Sequence, residues 1–310
     1  MTDTDTANAG DQYELTYKVG VAENKNFKFR KTMEDVHTYV ENFASRLDWG
    51  YFAIFDGHAG SQASKWCGSN LHSIIESEMI KGKDESGEES SKNTNTDNVR
   101  VILNRSFMKA DKHICESLPG NSGCTAAVCV LRWEIPKSND TKTDNTNAST
   151  LSNNTLYQHK RMLYTANVGD TRIVLFRNGK AIRLTYDHKA SDYYEMKRVE
   201  QAGGLIMKSR VNGMLAVTRS LGDKFFDSLV IGQPFTTSVE LTSKDQFLII
   251  ACDGLWDIIS DQKACELIKN IKADNADLAA NTLVKYALAN GTTDNITVMC
   301  VYFSTYDADD

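Results

Sequence analysis

The 310-residue sequence predicts an α+β fold, in which helices cover sheets made of many short strands. Two observations lead to this prediction. Short apolar runs rich in β-branched and aromatic residues recur along the chain, and stretches with helical spacing of apolar residues lie apart from them. The composition, with 41% hydrophobic and 25% charged residues, is that of a globular protein able to bury a sizeable core.

Strands are predicted where the apolar runs are short and contain β-branched or aromatic residues. Such runs cover residues 36–40, 51–55, 125–133, 162–167, 247–251 and 296–303. Residues 172–176 and 181–184 flank the pair Asn178-Gly179, which suits the positive backbone angles of a type I′ turn. These two segments are therefore predicted to form an antiparallel hairpin.

Helices are predicted where apolar residues recur every three or four positions, and each such stripe needs a sheet to cover. Ser260 is placed to cap one helix, and Gly203 is placed to end another over residues 192–202. Residues 99–117 and 276–289 also have helical character. The clearest stripes are Cys67, Leu71, Ile74 and Ile75, and Ala264, Leu267, Ile268 and Ile271.

Two polar stretches, residues 81–98 and 137–155, interrupt this pattern. They contain almost no apolar side chains, so burial could not offset the entropy cost of ordering them. We expect both to be surface insertions in a single domain over residues 13–304, because the sequence motifs described below lie on both sides of each insertion. Residues 1–12 are expected to be a disordered tail and residues 305–310 a second tail.

Charge and cysteine usage restrict the partners and the compartment. The net charge is −6, and no block of basic residues could follow a nucleic-acid backbone. None of the seven cysteines forms a C-x-x-C pair, which is typical of reduced intracellular thiols. Neither a secretory signal nor an apolar run of roughly 20 residues occurs. We expect a cytoplasmic or nuclear protein, or one in both compartments, without nucleic-acid or membrane partners.

Carboxylates recur where predicted strands end. A single Asp-Gly pair is usually only a turn, so the prediction rests on the whole set. If the strand ends converge, the like charges would repel one another unless cations neutralised them. Hard oxygen ligands without a cysteine or histidine set favour Mg²⁺ or Mn²⁺ over zinc, and a calcium loop is absent from the sequence. The candidates are Glu34, Asp35, Asp56, Asp170, Asp253, Asp257 and Asp294.

Seven motifs follow one another along the chain in an order that one enzyme family shares. They are Arg30-x-x-Met33-Glu34-Asp35, Phe55-Asp56-Gly57-His58-Ala59-Gly60, Ser122-Gly123-Cys124-Thr125-Ala126, Asn167-Val168-Gly169-Asp170-Thr171-Arg172, Arg210-Val211-Asn212-Gly213-Met214-Leu215-Ala216-Val217-Thr218-Arg219, Ala251-Cys252-Asp253-Gly254-Leu255-Trp256-Asp257 and Asp294-Asn295-Ile296-Thr297. With them the chain resembles the type 2C, or PPM, family of metal-dependent protein serine/threonine phosphatases. It is similar above all to small yeast-type members acting on stress-activated MAP kinase signalling.

The resemblance implies a fold and a metal centre. The fold would be a four-layer α-β-β-α sandwich with two central, mainly antiparallel sheets. Asp56 would bridge two Mg²⁺ or Mn²⁺ ions, so each chain would hold at least two ions. Glu34 and the Gly57 carbonyl would complete the protein ligands of one ion, and Asp253 and Asp294 would serve the other.

The resemblance also implies roles around this centre. Asp35 would contact the metal ligands without binding a metal itself. Asp170 and Asp257 match positions linked to a third, weaker metal. Thr125 would hydrogen-bond a water held by the metals, although threonine in a strand is commonly just a good β former.

Two further residues would act on the substrate. Arg30 would bind its phosphate, since the planar guanidinium matches two phosphate oxygens; the alternative is a surface arginine. His58 would protonate the departing serine or threonine oxygen, a task that suits a group titrating near neutrality; the alternative is a structural histidine.

Two other functions remain open at this stage. A pseudophosphatase would keep the fold without metal ligands, but the candidate positions all retain their carboxylates. A two-metal hydrolase could instead act on nucleotides or small phosphate esters, because the metals do not choose the substrate. A phosphocysteine mechanism is not expected, since none of the cysteines has an arginine six positions later. The expected partners are phosphoproteins, with a stress-activated MAP kinase as a candidate, and the expected state is a monomer.

Overall fold

The computed structural model of the chain describes residues 14–81, 99–135 and 159–304. Both predicted tails and the predicted insertion over residues 137–155 lie outside these ranges. The other predicted insertion, over residues 81–98, also lies outside them except for Lys81, which is the last residue of a helix.

Strands and α-helices make up most of the described residues. The strands are β1 (Tyr17–Asn24), β2 (Val36–Glu41), β3 (Gly50–Phe55), β4 (Gly57–His58), β5 (Gly123–Cys124), β6 (Ala126–Glu134), β7 (Lys160–Val168), β8 (Arg172–Arg177), β9 (Lys180–Arg183), β10 (Ile206–Met207), β11 (Arg210–Val211), β12 (Leu221–Gly222), β13 (Phe235–Leu241), β14 (Asp245–Ala251) and β15 (Ile296–Phe303). The α-helices are α1 (Gln62–Lys81), α2 (Val99–Ser117), α3 (Tyr193–Gln201), α4 (Asp253–Trp256), α5 (Asp261–Ile268) and α6 (Ala276–Ala289).

Two five-stranded sheets form the centre of the molecule. One has the strand order β1-β15-β14-β8-β9, and the other has the order β13-β7-β6-β3-β2. Neighbouring strands in both sheets pair antiparallel. The predicted hairpin is present as β8 and β9, with positive φ angles of 49° at Asn178 and 77° at Gly179.

Successive side chains of a strand point to opposite faces of its sheet. Each sheet therefore has one face toward helices and one toward the other sheet. In β3, Tyr51 and Phe55 pack with residues of α1 and α2, whereas Phe52 and Ile54 belong to a core shared with Leu248 of the opposite sheet. A third core joins the first sheet to α5 and α6. Three cores between four layers confirm the predicted α-β-β-α sandwich.

Most predicted elements agree with the structure, and the exceptions have physical reasons. Ser260 caps α5 by accepting from the Lys263 backbone N–H, but α5 ends at Ile268, so Ile271 lies beyond the helix. β1 and β13 were not predicted from the sequence. Polar residues or glycine interrupt the apolar residues of both strands: β1 contains Lys18 and Gly20, and β13 contains Thr236, Thr237, Ser238 and Glu240.

Candidate active site

The ends of the central strands bring several carboxylates into one site. Asp56 follows β3 of one sheet, whereas Asp253 follows β14 of the other and Asp294 precedes β15. Burial raises the pKa of Asp56 well above its usual value, and the charges of Asp35, Asp253, Asp170 and Asp294 raise it further. The structure therefore brings together carboxylates that the sequence separates by more than 200 residues.

A close backbone contact sets the spacing of Asp253 and Asp294. A Cβ added to Gly254 would lie 2.0 Å from the carbonyl oxygen of Asn295, a distance that no side chain tolerates. The first turn of α4 can therefore lie directly against the loop before β15 only because residue 254 is glycine.

The loop before β2 supplies Glu34 and is fastened to the same region. The Glu34 carboxylate accepts from the Gly60 backbone N–H at 3.0 Å and from the Thr32 hydroxyl at 2.8 Å. The Glu34 backbone N–H donates to Asn295 Oδ1 at 2.9 Å, and the Asn295 side-chain amide donates to the Thr32 carbonyl at 3.1 Å. Gly57, at the start of β4, packs against the Glu34 carbonyl. Asn295 is thus a positioning residue that sequence reasoning named only as part of a motif.

Arg30 lies at the open side of the site. Its guanidinium pairs with the Asp294 carboxylate and donates from Nε to the Thr293 carbonyl at 3.2 Å. The Arg30 side chain is 48% exposed. An incoming anion can therefore reach the guanidinium from solvent.

The donor atoms of the site fit a hard divalent cation. Asp253 Oδ1 is buried and has no hydrogen-bond partner in the part of the chain that the structure describes. Burial raises the pKa of Asp253 well above its usual value, and the charges of Asp170, Asp294 and Asp257 add to this effect. An unsatisfied buried carboxylate oxygen is costly, and an oxygen-binding cation such as Mg²⁺ or Mn²⁺ would satisfy it.

Asp35 lies behind Asp56 and close to Cys252. Carboxylate oxygens of Asp35 and Asp56 and the Cys252 sulfur all lie within 4.8 Å of one another. Burial raises the pKa of the Cys252 thiol well above its usual value, and the thiol donates to Asp35 Oδ2 at 3.4 Å. Asp35 Oδ2 also accepts from the Thr297 hydroxyl at 2.7 Å, and burial raises the pKa of Asp35 to about 6. The Asp35 carboxylate and the Cys252 thiol therefore form one buried hydrogen-bonded group beside Asp56.

Asp170 and Asp257 both form ion pairs with Lys189. The ammonium of Lys189 lies 3.3 Å from Asp170 Oδ2 and 2.9 Å from Asp257 Oδ1. Asp170 is buried and Asp257 is exposed. The two carboxylates linked by resemblance to a third metal do therefore lie together, with Lys189 between them. Sequence reasoning did not identify Lys189.

Thr125 and His58 flank Asp56 on the side of the short strands. The Thr125 backbone N–H donates to the Asp56 carbonyl at 2.9 Å, and its hydroxyl shares a 2.5 Å hydrogen bond with the Thr171 hydroxyl. His58, in β4, is hydrogen-bonded to Asp223. Sequence reasoning did not identify Asp223.

Comparison with known proteins defines the class of this molecule. Residues 19–296 match the family described as Protein phosphatase 2C, and the chain belongs to that family. It is a protein serine/threonine phosphatase. None of the helices in the described ranges is long and apolar enough to cross a membrane.

Its relatives include two yeast proteins. The chain is 68% identical over 291 residues to Protein phosphatase 2C homolog 1 of Saccharomyces cerevisiae, covering 94% of this chain and 95% of that protein. It is 40% identical to Protein phosphatase 2C homolog 1 of Schizosaccharomyces pombe, covering 91% and 72%. The solved serine-threonine phosphatase 2C of Toxoplasma gondii superposes with a TM-score of 0.69 at 21% identity, covering 94% and 96%. That structure supports the fold.

Proposed function

We propose that the acidic site hydrolyses phosphoserine and phosphothreonine in proteins with at least two Mg²⁺ or Mn²⁺ ions bound. The observation that carries this proposal is the buried, unpartnered Oδ1 of Asp253 among carboxylates whose pKa values are raised. A cation bound among these carboxylates would favour their ionised forms. When bound, the two ions would lower the pKa of a water shared between them and offset the charge of the phosphate.

The proposed ligands are oxygen atoms from four segments of the chain. Asp56 would bridge the ions, with Glu34 and the Gly57 carbonyl on one of them and Asp253 and Asp294 on the other. Their position at the ends of two packed sheets supports this assignment, because a rigid scaffold holds ligands at fixed separations.

A weaker, third site would involve Asp170 and Asp257. Lys189 lies between these carboxylates, so a cation there would have to displace its ammonium. Asp35 would hold Asp56 in place. Thr125 would hydrogen-bond a water at the ions, for which its hydroxyl would have to leave Thr171 or use a second lone pair.

Two side chains would act on the substrate. Arg30 would bind the phosphate, exchanging its contact with Asp294 for phosphate oxygens while its Nε–H to the Thr293 carbonyl keeps it in place. The exposed position of Arg30 suits this role. His58 would donate a proton to the departing serine or threonine oxygen, since an alkoxide is a poor leaving group.

The test is turnover of a phosphothreonine peptide against turnover of nucleotides during a Mn²⁺ or Mg²⁺ titration of chelator-treated protein. We expect no turnover before metal addition and preference for the peptide after it. Faster turnover of nucleotides would favour a nucleotide hydrolase. Absence of both metal binding and turnover would favour a pseudophosphatase.

We further propose a stress-activated MAP kinase as a substrate, on the basis of the resemblance to small yeast-type family members. The chain would work as a monomer in the cytoplasm, the nucleus or both, with residues 13–304 as the catalytic domain. The test is incubation of a dually phosphorylated MAP kinase with the enzyme. Loss of phosphothreonine with retention of phosphotyrosine is expected, and retention of both would refute the assignment.

A further inference from the structure

A buried carboxylate lies against His58. Asp223 Oδ2 is 2.6 Å from His58 Nε2, and the Asp223 side chain is 3% exposed whereas that of His58 is 25% exposed. The Ser220 hydroxyl also bonds the same Asp223 oxygen. The carboxylate is therefore enclosed by protein and directed at an imidazole two residues from Asp56.

The small sheet β12-β5-β4 brings these residues together from segments 165 positions apart. Gly123 of β5 pairs with His58 of β4 on one side and with Gly222 of β12 on the other, and Asp223 follows Gly222. A Cβ on Gly123 would lie 2.1 Å from Asp223 Oδ2 and 2.5 Å from His58 Nε2. Glycine at position 123 thus leaves the space in which the two side chains meet.

This contact distinguishes the two ring nitrogens of His58. An ionised carboxylate can only accept a hydrogen bond, so Nε2 carries a hydrogen and donates it to Asp223. A proton for the leaving group then has to come from Nδ1. After the transfer the ring is neutral, its remaining hydrogen stays on Nε2, and the bond to Asp223 persists. A carboxylate in this position fixes both the orientation and the tautomer of an imidazole.

We propose that Asp223 is a positioning residue for phosphate-ester hydrolysis, which holds His58 through Nε2 so that Nδ1 delivers the proton to the departing serine or threonine oxygen. The inference rests on the proposed role of His58 as the proton donor. It adds a residue, Asp223, and a ring atom, Nδ1, to that role.

The test uses two substrates whose leaving groups differ in their need for a proton. Threonine leaves a phosphothreonine peptide as a strongly basic oxygen, whereas the nitrophenolate of p-nitrophenyl phosphate leaves readily as an anion. Because general acids contribute about 10²- to 10⁴-fold, Asp223→Asn should lower kcat on the peptide by roughly 10- to 100-fold. KM for the peptide and kcat on p-nitrophenyl phosphate should change by less than about twofold, since binding and metal chemistry are untouched. If Asp223 had only a structural role, the substitution would lower both turnover numbers in parallel. That result would overturn the inference.

Two further variants control for local folding. The carboxylate of Asp111 accepts from the Gly222 backbone N–H at 2.8 Å, so it holds the same strand without touching His58. Asp111→Asn should leave the ratio of kcat on the peptide to kcat on p-nitrophenyl phosphate unchanged. Gly123→Ala should lower this ratio as Asp223→Asn does, because the added methyl group would occupy the space of the His58–Asp223 contact. A normal ratio in folded Gly123→Ala protein would count against the contact.

A double variant and a spectrum separate this inference from the general-acid role itself. In a His58→Gln background, adding Asp223→Asn should change peptide turnover by less than about twofold, because the two residues act as one unit. Full peptide turnover in His58→Gln alone would refute the role of His58. Impaired His58→Gln with normal Asp223→Asn would refute only the role of Asp223. Nitrogen-15 shifts of the neutral His58 ring should show the hydrogen on Nε2, and a hydrogen on Nδ1 instead would overturn the proposed tautomer.

Discussion

Replacing Glu195 by glutamine should destabilise the fold, because this carboxylate joins α3 to the segment that follows β11. The Glu195 side chain is 4% exposed. Its carboxylate accepts from Arg219 at 2.6 and 3.1 Å, from Arg198 at 3.3 Å and from the Thr218 hydroxyl at 2.8 Å. The substitution keeps the size of the side chain but removes the charge that faces two guanidinium groups.

The expected cost follows from the pKa of Glu195. Burial alone would raise this pKa, but the hydrogen bond and charge of Arg219, together with Thr218 and Arg198, lower it from 4.5 to about 2. With about 1.4 kcal/mol for each pKa unit, the ionised form would gain up to about 3 kcal/mol in the folded state. Because the surrounding arginines are partly solvated, we expect Glu195→Gln to lower the free energy of unfolding by about 2–3 kcal/mol.

The pH dependence has a defined sign. A carboxylate with a depressed pKa in the folded state contributes its full stabilisation above the unfolded value of 4.5 and loses it as the pH falls toward about 2. The difference between wild type and Glu195→Gln should therefore be constant from neutral pH down to about 5 and shrink below that.

Urea unfolding followed by circular dichroism would measure this difference at several pH values. Glu200 lies on the same helix and is exposed, so Glu200→Gln is the matched control and should cost less than about 0.5 kcal/mol. Equal unfolding free energies for wild type and Glu195→Gln at neutral pH would refute the reasoning. So would a difference that grows as the pH falls.

Three other perturbations test the site. Gly254→Ala should abolish or strongly reduce turnover and cost about 1–3 kcal/mol, because the new methyl group collides with the Asn295 carbonyl; normal kinetics would contradict the proposed spacing of Asp253 and Asp294. Arg30→Lys should raise KM for a phosphothreonine peptide more than it changes Tm, since an ammonium cannot make a two-pronged contact with phosphate; an unchanged KM would remove Arg30 from substrate binding. Chelation should stop turnover reversibly, and added Mn²⁺ should raise Tm by ligand linkage; a Tm independent of Mn²⁺ would argue against binding to the folded state.

The layered fold could be predicted from sequence because its central strands are almost wholly buried. The run over residues 296–303 is β15, in which every residue is buried, and the helices over residues 99–117 and 276–289 were predicted with their observed bounds. β1 and β13 were missed because polar residues or glycine interrupt their apolar residues, so neither forms a continuous apolar run. β13 contains only exposed and half-buried residues, a pattern close to that of a loop.

The candidate ligands could also be predicted, because strand-end carboxylates stand within recognisable motifs. Their neighbours could not. Lys189 matters for the ion pairs that it makes with Asp170 and Asp257, and Asn295 for bonds to a loop more than 260 positions away. Asp223 contacts His58 only because β5 lies between β4 and β12. Such roles depend on sheet pairing, and a linear pattern does not reveal them.

The most direct test of the account is Asp56→Asn. This change removes the charge proposed to bridge two cations while keeping the size of a side chain at the end of β3. We predict no measurable hydrolysis of a phosphothreonine peptide and weakened Mn²⁺ binding by calorimetry, with a circular dichroism spectrum like that of wild type. Asp274→Asn, at an exposed position, should behave as wild type. Turnover retained by well-folded Asp56→Asn would contradict the central role of this carboxylate.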